Sequence, residues 1–155
     1  MKYLYCTLAA FFIIVSLQAQ TIRQDDLLGE WMPISIIISD GTSVNLEKDE
    51  VTLSETMLKE VKEGGQDAEE FKANLAQGFS VYKEIFRVVI SEGVITRFEE
   101  GEAIAAPFKL IDEAGKYYLD IDGEKNLITL KDGLLTLLPS AQGDGYFTIV
   151  LKKIQ

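Results

Sequence analysis

Turn signals recur along this chain with a nearly regular beat, and they constrain its fold more than any other feature. They are Asp40-Gly41, Glu92-Gly93, Glu100-Gly101, Ala114-Gly115, Asp122-Gly123, Asp132-Gly133 and Asp144-Gly145. From Gly93 onward the glycines of these turn signals are 8, 14, 8, 10 and 12 residues apart. Glycine, helped by a preceding aspartate, supplies the positive φ angles that a tight hairpin turn demands. Short strands joined at this spacing make a β-sandwich or an up-and-down barrel, whereas βαβ units need long helical crossovers.

The runs between the turns read as strands. Trp31 to Ser39 is rich in isoleucine, and Phe79 to Ile90 is the longest run. Val94 to Phe98, Pro107 to Asp112, Lys116 to Ile121, Asn126 to Leu130, Leu134 to Leu138 and Tyr146 to Ile154 follow. A further short strand falls at Val44 to Leu46 or at Val51 to Leu53, for a total of eight or nine. Lys116 to Ile121 alternates best: Tyr117, Leu119 and Ile121 share one face. Pro107 suits a strand start, an edge or a bulge, because proline donates nothing to a ladder. The expected fold is therefore all-β, an antiparallel up-and-down barrel.

Ser54 to Gly78 breaks this pattern and reads as a short helical insertion. Ser54 is placed to cap a first helix, with Met57, Leu58 and Val61 as its apolar stripe and Gly64-Gly65 as its end. Asp67 and Glu70 stand at capping-box spacing before a second helix. There Ala68, Phe71 and Leu75 fall at i, i+3 and i+7, and Gly78 is a natural stop. Two roles stay open for the pair: a plug that belongs to the core, or a movable lid.

Residues 1–19 read as a secretory signal peptide rather than as part of the domain. Lys2 supplies the positive start, Leu8 to Leu17 the apolar run, and Leu17-Gln18-Ala19 a cleavage site ending in a small residue. Ten helical residues rise about 15 Å, half of what a membrane span needs. A lipoprotein cysteine would follow the apolar run, whereas Cys6 precedes it. The expectation is an extracytoplasmic protein, periplasmic or secreted, with no membrane span and a single domain over residues 20–155. Cys6 is the only cysteine, so the mature domain would be held by its core alone, without disulfides.

Charge and composition exclude several functions. The chain has 15 Lys+Arg against 25 Asp+Glu, a net charge of −10, which disfavours nucleic acid and anionic membranes as partners. It has no histidine, which removes Ser-His-Asp and Cys-His chemistry and the commonest transition-metal ligand. Asp120-Ile121-Asp122-Gly123-Glu124 looks like part of a calcium loop but lacks its full spacing, and reads as a hairpin tip. No glycine-rich phosphate loop and no Gly-X-Ser-X-Gly motif is present. No metal, no cofactor and no catalytic residue is expected, and the protein is read as a non-enzyme.

One motif sharpens the fold. Leu27-Leu28-Gly29-Glu30-Trp31 starts eight residues after the expected cleavage site, opens the first strand and contains the only tryptophan. It resembles the Gly-X-Trp signature of the lipocalins and the wider calycin superfamily, in particular the small exported lipocalin-like bacterial proteins. The resemblance implies a turn of helix, here Arg23 to Leu28, leading into the first strand, with Trp31 packed across the closed end of a barrel. Lipocalins cover that tryptophan with an arginine from the last strand. Here the last strand offers Lys152 and Lys153, and the motif set is taken as Gly29, Trp31 and Lys152. The insertion over 54–78 has no place in the usual lipocalin plan.

An eight-stranded barrel is just wide enough to fill with side chains or to hold one small ligand. The leading expectation is non-catalytic binding of a small, largely apolar ligand, with Met57, Leu58, Phe71, Leu75, Tyr117, Leu119 and Ile121 as the candidate contacts. The alternative is a protein-interaction module with a filled barrel, acting as an inhibitor or an envelope-associated partner-binding protein.

Overall fold

The computed structural model describes residues 21–138 and 147–154; the expected leader and the Asp144-Gly145 turn lie outside the described residues. The chain forms a closed, eight-stranded antiparallel barrel with a short helical insertion. A single turn of helix, α1 (Gln24–Leu27), leads into β1 (Gly29–Ile38). The wall then runs through β4 (Val88–Ser91), β5 (Val94–Glu99), β6 (Glu102–Glu113), β7 (Lys116–Ile121), β8 (Glu124–Lys131), β9 (Leu134–Leu138) and β10 (Phe147–Lys153). β10 pairs back onto β1, from Trp31 opposite Lys153 to Ile38 opposite Phe147, with a bulge between Pro33 and Ser35. Closure removes the two sheet edges that an open sheet would expose.

The turn residues explain the meander. The loops from β4 to β9 are each two residues long. In four of them both residues have positive φ: Glu100 and Gly101 (51° and 86°), Ala114 and Gly115 (54° and 82°), Asp122 and Gly123 (53° and 89°), Asp132 and Gly133 (53° and 77°). That is the type I′ turn, whose twist matches the strands it joins. Asp120 accepts the Gly123 N–H at 2.9 Å, so the acidic run around Gly123 works as a hairpin tip.

The insertion leaves the wall after β1 and returns at β4. β1 divides one edge between two partners: Gly29–Trp31 pair with β4, and Ser35–Ile37 pair with β2 (Ser43–Asn45). β2 continues into β3 (Glu50–Thr52), so both short strands expected as alternatives exist. Next come α2 (Glu55–Glu63) and α3 (Ala68–Ser80). Ser54 caps α2 by accepting the Met57 N–H at 3.0 Å, and Asp67 caps α3 by accepting from Glu69 and Glu70 at 2.9 Å each. The helices cover a second small core of Ile36, Val44 and Leu46, to which Leu75, Phe79, Tyr82, Phe86 and Phe147 add apolar surface.

Three expectations are overturned by the structure. Gly78 does not stop α3, and Phe79 to Ile90 is not one strand. α3 runs to Ser80, a further helical turn α4 (Tyr82–Ile85) follows, and only Val88–Ser91 is extended. Phe79, Tyr82 and Phe86 stand at i, i+3 and i+7, so helical spacing stacks their rings on one face, with centroids 5.3 Å apart at each step. That packing overrides the β preference of aromatic residues. Pro107 also does not start its strand. It lies in the middle of β6, where pairing passes from β5 to β7. Phe108 N–H bonds Gly93 C=O, so the alternation turns the Pro107 nitrogen away from β5, towards an edge where no donor is required.

A polar network around the buried Thr42 marks where the insertion departs. Thr42 is 0% exposed. Asp40 accepts the Thr42 N–H and hydroxyl at 2.8 and 2.9 Å and the Ser54 hydroxyl at 2.8 Å, while Thr42 Oγ1 accepts the Ser54 N–H at 3.1 Å. Burial pushes the Asp40 carboxyl up, but the Thr42 N–H and the Ser54 and Thr42 hydroxyls outweigh it and hold it below the usual carboxylate value. Its stabilisation is thus present above the unfolded pKa and is lost as pH falls through the lowered folded value. Thr42→Val keeps the shape but leaves the Ser54 N–H without its acceptor. It should cost about 1–3 kcal/mol in urea unfolding and reduce the loss of stability in acid. A variant as stable as the parent would show that the network does not anchor the insertion.

Candidate ligand cavity

Strand direction sorts the barrel into two ends. The N-termini of β1, β7 and β9 and the C-terminus of β10 meet at one end, which is filled. Leu27, Trp31, Leu135 and Leu151 are buried there, and Trp31 is 1% exposed. The Trp31 indole N–H donates to the Leu27 carbonyl at 2.7 Å, which holds α1 across the opening. Lys153 Nζ sits 5.5 Å from the indole centroid, within cation–π range. A side chain on Gly29 would bring its Cβ to 2.7 Å from Lys153 Cε, and Gly29 has φ +126°. The positive φ reserves this position for glycine, whereas the flexible end of Lys153 could shift to admit a side chain.

The residue covering the tryptophan is therefore Lys153 and not Lys152. Alternation along β10 puts Leu151 and Lys153 on the inner face and Lys152 on the outer one. Lys152 instead pairs with Glu47 at 3.1 Å.

The other end is hollow. Inward residues from the N-terminal parts of β4, β8 and β10 and from β5, β7 and β9 line a pocket of about 530 Å³ that opens to solvent. Its apolar walls are Phe86, Val88, Ile95, Ile121, Leu137, Phe147 and Ile149, and Arg97, Asp122, Glu124 and Asn126 supply its polar lining. Arg97 is the one basic side chain among the described lining residues. The helical insertion reaches this end through Phe86, which stacks on Tyr82 and lies 5.5 Å from Phe147. Phe86 packs against both the barrel core and the insertion's own core, joining the two.

Of the seven candidate contacts, the cavity brings in only Ile121. Tyr117 and Leu119 share its face, as the alternation implies, but they lie deeper and are buried in the filled core. Leu75 packs on Ile36, Val44 and Leu46. Met57, Leu58 and Phe71 are half-buried within the insertion and do not line the cavity. The contacts that the sequence reading missed carry two visible signals. One is the helical spacing that ends at Phe86, and the other is the alternation Phe147, Ile149, Leu151 along β10.

Small-molecule sites are in general concave and mostly apolar, with a few placed polar groups. Among the described residues no group of three His, Cys, Asp or Glu side chains is arranged to hold a metal ion, and no helix is long and apolar enough to cross a membrane. Comparison with known proteins finds no matching family model, no matching curated protein and no matching solved structure.

Proposed function

We propose that this protein is an exported, lipocalin-like, non-catalytic binding protein that takes a small, largely apolar ligand into the open end of its barrel. The observation that carries the reading is the cavity of about 530 Å³ with seven apolar wall residues. That volume falls inside the range of small-molecule sites, about 300–1,000 Å³. Export is supported by Lys2, the apolar run Leu8 to Leu17 and the Ala19 cleavage site. The lipocalin likeness is supported by Gly29 and Trp31 at the filled end. The hollow end favours a ligand over the alternative of a wholly filled barrel that binds only through its surface.

The test is stoichiometric binding of a fluorescent long-chain fatty acid, with native mass spectrometry of the protein purified from its source. Ile121→Trp places an indole in the cavity without touching the filled end. It should weaken the probe about tenfold or more, the equivalent of ~1.4 kcal/mol of lost burial, with circular dichroism unchanged. Unchanged affinity in Ile121→Trp, or no saturable binding to the parent protein, overturns the proposal.

A further inference from the structure

One stretch of the barrel wall has a partner on one side only. Glu102 to Pro107 of β6 pairs with β5, and Phe108 to Glu113 pairs with β7. β7 ends at Ile121, opposite Phe108, and turns back. The β5–β6 hairpin therefore projects past the tip of the β7–β8 hairpin. The bond from Phe108 N–H to Gly93 C=O sets the phase of the ladder. Even-numbered residues of β6 bond to β5, so Ala103 and Ala105 point their N–H and C=O groups at the outer edge, where no strand meets them. Glu102 to Ala105 are all exposed.

Natural proteins blunt such edges with lysine, proline or bulges. This edge has Pro107 at its barrel end, but over Ala103-Ile104-Ala105-Ala106 it carries no lysine, proline or bulge. The inner face of the hairpin borders a groove of about 650 Å³ lined by Ile85 of α4, Glu99, Glu100, Glu102 and Ile104. Ile85 and Ile104 are 39% and 38% exposed. Among the described residues none of the three glutamates forms an ion pair.

We propose that the outer edge of β6 at Ala103 and Ala105 is a strand-addition site for an extended, basic segment of another protein. Main-chain bonds to Ala103 and Ala105 would supply the pairing. Ile104, Glu102 and its cross-strand partner Glu99 share one face, so the guest side chains falling on that face would be an apolar one beside Ile104 and Ile85 and a lysine or arginine beside Glu99, Glu100 and Glu102. A second copy of this chain is the wrong guest. Its net charge is −10, and edge-to-edge pairing would bring two sets of these glutamates together. The inference is independent of what the barrel holds, since none of these residues lines the cavity.

The test uses the full-length protein and a capped eight-residue peptide with valine and lysine in turn along one face and serine along the other, read by fluorescence anisotropy. Three controls accompany it: the same peptide with glutamate for lysine, the lysine peptide N-methylated at every second residue, and Ala105→Pro. Proline at 105 removes only an outward N–H, so the β5 ladder survives. Saturable binding that falls about tenfold or more with Ala105→Pro, the equivalent of ~1.4 kcal/mol, and is absent for both peptide controls supports the site. The N-methylated control uses the parent protein, so its outcome stands even if Ala105→Pro misfolds. Equal binding of the glutamate or N-methylated peptide overturns the proposal, as does a homodimer in native mass spectrometry that Ala105→Pro dissolves.

Discussion

Trp31→Ala should lower the unfolding free energy by about 3–5 kcal/mol, against about 5–15 kcal/mol for a whole domain. The indole is 1% exposed and closes the filled end of the barrel. Its removal leaves a cavity beneath α1 and strips the Leu27 carbonyl of a 2.7 Å hydrogen bond. It also leaves Lys153 without the ring it covers. Trp31→Phe retains most of the apolar volume and loses the N–H, so it should cost less, with about 0.5–1.5 kcal/mol from the missing bond. Urea unfolding followed by circular dichroism measures both. Because the chain has one tryptophan, native emission reports this site alone and should be that of a buried indole. Emission of a solvated indole, or a Trp31→Ala cost below that of Trp31→Phe, would contradict the packing described here.

What the sequence disclosed follows from how local each signal is. A two-residue turn is determined by the residues in it, so Glu100-Gly101, Asp122-Gly123 and Asp132-Gly133 marked hairpins that the structure contains. Helix caps are equally local, and Ser54 and Asp67 both cap where expected. The errors arose where a distant partner decides. Phe79 to Ile90 has the composition of a strand, yet Phe79, Tyr82 and Phe86 are fixed by stacking on one another and on Phe147. The span of β6 depends on β5 reaching Glu102, a matter of register between strands. The cavity was least legible of all. Alternation tells which face of β7 points inward, but not how deep each residue lies along the barrel axis. That depth is set by the stagger between strands, and it separates Ile121 in the cavity from Leu119 in the core.

This separation gives the second large effect. Leu119→Ala should cost about 2–5 kcal/mol, because the side chain is enclosed on every side and the site cannot collapse onto the missing atoms. Leu119 is 0% exposed, within the cluster that includes Trp31, Ile128 and Leu135. Ile121 lies two residues further along the same strand, about 7 Å away at the usual strand rise. It is half-buried and borders space that is already empty. Ile121→Ala therefore opens no new sealed void, and should cost only the transfer of its partly buried methyl groups, about 1–2 kcal/mol. The fatty-acid probe should respond in the opposite order: weakened by Ile121→Trp, unaffected in affinity by Leu119→Ala while the protein remains folded. Denaturation midpoints and probe titrations on the same samples read both quantities. If Leu119→Ala costs no more than Ile121→Ala and alters probe affinity as strongly as Ile121→Trp, the hollow extends past Leu119. The boundary between filled and open ends would then lie closer to Trp31 than the packing indicates.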